Sequence, residues 1–185
     1  MRNSPASWLL LPLHAAALAT AAKSFRDNPV IGSPRLNRAG LHVGRMRLAA
    51  AMAAWRRRRL APLIRPEDAA AFARDGLVLK EDYLPPEVFE RLREETLSCA
   101  APARGMVQGD ALTRRIPLDA ATLRRLPAVR ALVESREWRN LLGYVGSSAL
   151  TPVTYVQTIF ARVRPGADDP QLRLHADTFH STVKA

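Results

Sequence analysis

Apolar positions along this chain fall into blocks whose spacing changes from helical to strand-like towards the C-terminus. From Leu41 to Leu60, Leu41, Leu48, Met52 and Trp55 recur at helical intervals and Arg56 to Arg59 close the segment, which predicts a basic amphipathic helix. Pro66, Glu67 and Asp68 then open a short helix with proline in its first turn and acids at its positive end; Gly76 ends it. Leu77 to Leu79, leading into Glu81 to Leu84, reads as a strand that Pro85 and Pro86 break. A helix from Glu87 to Cys99 follows, with Phe89, Leu92 and Thr96 on its inner side. Pro102, Gly105 and Gly109 mark Ala100 to Leu112 as loop.

Helical spacing resumes near Asp119 and runs, interrupted by Pro127, to Leu142, where Gly143 and Gly146 release the chain. The pattern then changes. Val153 to Phe160 has the β-branched and aromatic density of a strand buried on both faces. Arg164-Pro165-Gly166 turns the chain, Asp168-Asp169-Pro170 extends the loop, and Leu172 to Leu174 starts another strand that delivers His175 and Asp177. There is no internal repeat. Helices first and sheet last predict an α+β fold.

Length and charge sharpen this picture. A chain of 185 residues suits one domain, or one domain with an extension. The single cysteine, Cys99, excludes an internal disulfide and a cysteine cluster for zinc, and a reducing, cytoplasmic compartment follows. The formal charge of +11 lies entirely in residues 1 to 65, where Asp27 is the one acid; the remainder is balanced. Residues 1–65 are therefore expected to be a basic extension and 66–185 the body. A balanced body suits a small-molecule substrate better than a nucleic-acid backbone.

Within the extension, Trp8 to Ala22 is apolar apart from Pro12 and His14, but too short to span a bilayer, which takes about 20 apolar residues. Ala19, Thr20 and Ala21 would serve a cleaved signal peptide; the competing reading is a helix resting on the body or on a membrane. The arginine run of residues 41–60 suits a solvated helix end or anionic headgroups. Without a base-reading element beside it, nucleic acid is not the expected partner.

The candidate chemistry is in LHADTFH. On a strand, His175 and Asp177 project from one face about 6.8 Å apart along the axis and can share a metal ion. Imidazole nitrogen with carboxylate oxygen suits iron(II) or manganese, and a second histidine would complete the facial triad of non-haem oxygenases. The alternative is a strand-end histidine beside an ordinary surface acid. His180, three positions past Asp177, points to the opposite sheet face, and His14 and His42 belong to the basic extension.

The opening FARDGLVLKEDYLPPEVFERLREE from Phe72 to Glu95, the helical PAVRALVES from Pro127 to Ser135, and HADTFH from His175 to His180 together resemble the phytanoyl-CoA dioxygenase family of iron(II)- and 2-oxoglutarate-dependent oxygenases, over about Arg65 to Ala185. The resemblance implies a helical layer followed by a double-stranded β-helix, or jelly roll, with His175 and Asp177 as iron ligands. It implies hydroxylation of a small or lipid-like substrate coupled to decarboxylation of 2-oxoglutarate. Gln157 matches in place a glutamine that some relatives point at substrate or cosubstrate. The family's second histidine and its 2-oxoglutarate-binding arginine lie further downstream than Ala185. The resemblance thus implies a truncated roll, the N-terminal portion of such an enzyme, inactive by itself. A reading of another class is a non-catalytic protein that engages anionic membrane or nucleic acid through residues 41–60.

Overall fold

The computed structural model describes residues 11–19 and 28–160, together with Gly166 and Val183. Within them the chain is α+β, a set of helices with one small antiparallel sheet. Helix α1 (Leu11–Ala16) continues into a 3₁₀ turn and is held by Asn28, whose Nδ2 donates to the His14 carbonyl at 3.1 Å. Asn28 also folds the next turn, its Oδ1 accepting from the amides of Val30 and Ile31, and Ile31 is fully buried there. Helix α2 (Pro34–Arg38) starts on a Ser33 cap.

Helix α3 spans Leu41–Leu60, the limits its sequence pattern predicts. Arg45 and Ala53 are buried, whereas Leu48, Met52 and Trp55 are exposed. The reason is polar anchoring. Arg57 Nε and NH2 donate to the carbonyls of Tyr144 and Val145 at 3.2 and 2.9 Å, and its guanidinium lies 4.7 Å from the Phe72 ring centroid. Those contacts fix which side of α3 faces the body. Burial there also pulls the Arg57 pKa below its ordinary value, against the opposing influence of Tyr144.

Helix α4 (Pro66–Asp75) ends as its sequence predicts, Gly76 adopting φ +73°, a left-handed conformation that a side chain would disfavour. Leu77 to Leu84 is not a strand. The segment has no sheet partner among the described residues; it bends instead, with Asp82 at φ +46° and Lys80 Nζ 2.9 Å from the Asp68 carboxylate of α4. In helix α5 (Pro86–Leu97) Leu92 and Thr96 are half-buried as expected, but Phe89 is exposed and Val88 and Glu95 take the inner side with them. Glu95 drives this.

The predicted loop before the next helices holds a hairpin instead. Strand β1 (Arg104–Gln108) pairs antiparallel with β2 (Ala111–Pro117) through a two-residue turn, Gly109-Asp110. Gly109 has φ +58°, the positive angle that a tight hairpin turn requires of its first central residue. Helices α6 (Ala120–Arg125), α7 (Pro127–Glu134) and α8 (Arg136–Val145) follow, with caps from Asp119 and Ser135. The Glu95 carboxylate accepts from the amides of Ala128 and Val129, both at 2.9 Å, so α5 neutralises the positive end of α7.

Strand β3 (Tyr155–Phe160) pairs antiparallel with β2, giving the order β1-β2-β3. It was expected to be buried on both faces. Only Val156 is half-buried; Tyr155, Gln157, Thr158, Ile159 and Phe160 are exposed, because β3 has one sheet neighbour among the described residues and no helix packs across it. The last expected strand, Leu172 to Leu174, lies outside the described residues.

Candidate functional site

The hairpin register makes a row across the sheet. Arg104 stands opposite Arg115, and Arg115 opposite Gln157, so the three share one sheet face. Arg115 Nε donates to Gln157 Oε1 at 2.9 Å, and the Arg115 guanidinium lies 5.1 Å from the ring centroid of Tyr155 on the same face. The glutamine oxygen is therefore engaged, while its amide remains a donor. Two arginines directly opposite one another repel, and no acid occupies the row. Guanidinium ends beside an amide donor suit a carboxylate.

On the opposite face, Arg114 stacks on Phe160 at 5.5 Å. The Arg104–Arg115 pairing was hidden in the sequence, since Ala100 to Leu112 reads as loop and only a hairpin sets those positions opposite each other. The signal present was Gly109-Asp110 between Val107 and Leu112, a turn flanked by apolar residues.

His175 and Asp177, the expected metal ligands, lie outside the described residues. Among the described residues no three or more His, Cys, Asp or Glu side chains converge as metal ligands would. The donor set itself fits iron(II): one neutral nitrogen and one anionic oxygen, from positions two apart.

A concave region lies apart from the sheet. A cleft of about 820 Å³ between α5, α7 and the Lys80–Leu84 bend is lined by Arg65, Tyr83, Arg91 and Glu95, among others. Several of its charges are satisfied internally. Lys80 pairs with Asp68, Arg65 lies 3.4 Å from Glu137, and Glu95 holds the start of α7. Tyr83 packs against Trp138 with ring centroids 5.9 Å apart. Its phenol pKa is raised, first by burial and then by Glu137. The cleft reads as a seam between helices with no nucleophile and base in reach of one another.

No family model, curated protein or solved structure matches this chain. The expected likeness to the phytanoyl-CoA dioxygenase family therefore has only the sequence segments Phe72–Glu95, Pro127–Ser135 and His175–His180 behind it. Among the described residues no helix is long and apolar enough to cross a membrane.

Proposed function

We propose that this chain belongs to an iron(II)- and 2-oxoglutarate-dependent dioxygenase that hydroxylates a small or lipid-like organic substrate. The observation that carries the reading is the His175-x-Asp177 pair placed after a helical layer and an antiparallel sheet. In this reading β3 is an early strand of a jelly roll that continues beyond Phe160, and His175 and Asp177 hold the iron from its next strand. The balanced equation is R–H + O₂ + 2-oxoglutarate → R–OH + succinate + CO₂. Bound iron supplies the oxidising chemistry, activating dioxygen against the 2-oxo acid.

The chain's own residues would orient. Gln157 and Arg115, already bonded to each other, face one side of the sheet, where the arginine can receive a carboxylate and the glutamine amide can donate to it. We assign this pair a positioning role toward cosubstrate or substrate. Arg104 adds positive charge to the same row. The enzyme would work in the cytoplasm.

The test is succinate formation by the full-length protein, given iron(II), ascorbate and 2-oxoglutarate with candidate substrates. Turnover that disappears in Asp177→Ala, with a raised KM for 2-oxoglutarate or substrate in Gln157→Ala, is the expected result. An iron-loaded, folded protein that forms no succinate across those substrates overturns the proposal.

A further inference from the structure

We infer that the outer face of α3 is a docking surface for an anionic lipid membrane. Leu48, Met52, Trp55 and Arg59 follow one another at intervals of four, three and four residues, which at about 100° per residue places them within an arc of about 60°. All three apolar members are exposed, at 59%, 40% and 44%. Arg47 and Arg58 flank the stripe on one side and Arg56 on the other, each exposed. The Arg59 guanidinium lies 3.9 Å from the centroid of the Trp55 ring. An indole with an arginine on its face, aliphatic side chains beside it and further arginines on both flanks can sink the apolar groups below a headgroup layer while the guanidiniums stay among phosphates.

Two further observations favour a lipid surface over a folded partner or a change in packing. The helix cannot roll to hide its stripe without breaking the Arg57 bonds to Tyr144 and Val145 and exposing Ala53. Residues 28 to 65 also hold no acid, and of their nine arginines Arg35, Arg38, Arg47, Arg56, Arg58 and Arg59 are exposed, a positive surface complementary to anionic headgroups. Contact is in the plane of the membrane, since the helix is too polar to cross it. The inference does not depend on iron chemistry at His175.

The experiment is sedimentation of the full chain with vesicles of phosphatidylcholine alone and of phosphatidylcholine with phosphatidylserine, at about 0.1 M and about 0.5 M salt. Binding is expected only with phosphatidylserine and should weaken with salt. The Arg56→Gln, Arg58→Gln, Arg59→Gln triple variant should bind roughly a hundredfold more weakly, about fivefold for each arginine. The Leu48→Ser, Met52→Ser, Trp55→Ser triple should lose at least tenfold. Both triples alter exposed positions, so circular dichroism melts should match the parent. Equal binding to neutral vesicles, or unchanged binding by either triple, overturns the inference. So does duplex DNA bound in preference to vesicles, which would make this a nucleic-acid surface, or a dimer that the serine triple dissolves.

Discussion

Arg57 offers the sharpest test of how the basic helix is joined to the body. Its guanidinium donates to two carbonyls at the C-terminal end of α8, at 3.2 and 2.9 Å, and covers the Phe72 ring of α4. Hydrogen bonds to a charged group contribute about 1.5–3 kcal/mol each. The site is only part-buried, so water can replace some of what is lost on truncation, and the lower end applies: about 3 kcal/mol for Arg57→Ala. For a chain of this size that lowers Tm by about 6–12 °C. Arg57→Lys keeps the charge but not the fork, and should fall between parent and alanine. Arg56→Ala, one position along and exposed, is the control and should shift Tm by about 1 °C or less. Thermal melts by circular dichroism read all three. If Arg57→Ala melts with Arg56→Ala, the helix is not held to the body as described.

Three other perturbations probe the helical layer. Glu95→Ala removes both acceptors from the amides of Ala128 and Val129 and should destabilise by about 2–3 kcal/mol in urea unfolding, with Glu95→Gln losing less. Gly143→Ala would put a Cβ 2.9 Å from the Ser148 carbonyl oxygen, a backbone atom that cannot swing aside, and should cost about 1–3 kcal/mol by the same measurement. The Asp119 carboxylate accepts from the Thr122 amide at 2.8 Å, and Thr122, through its backbone and then its side chain, holds the Asp119 pKa below the usual 3.8. Because the folded value is the lower one, its contribution is present above pH 3.8 and fades as pH falls from there through the folded pKa. Asp119→Asn keeps a cap but should flatten that part of the acid melting profile; an unchanged profile would contradict the assignment.

Local signals with a steric cause were legible in the sequence, and those that depend on a distant partner were not. Pro66 and Gly76 bracket α4 because one cannot continue a helix backwards and the other alone turns left-handed at no cost. The limits of α3 were equally readable, but not its orientation, since Arg57 takes the inner side through bonds to Tyr144 and Val145, far along the chain. Leu77 to Leu79 has strand composition and, among the described residues, no strand to pair with. The hairpin from Arg104 to Pro117 was obscured by Pro102 and Gly105, and with it the arginine row beside Gln157. Gln157 itself is placed on a strand as expected, bonded to Arg115. His175 and Asp177 remain a reading of sequence.

Metal binding by that pair is the central claim, and titration of the full chain with iron(II) under anaerobic conditions measures it directly, without requiring turnover. One weak site per chain is expected, lost to a similar extent in His175→Ala and in Asp177→Ala and retained in His180→Ala. Binding that survives both substitutions, or that vanishes only with His180, would contradict the shared grip of His175 and Asp177 on the metal.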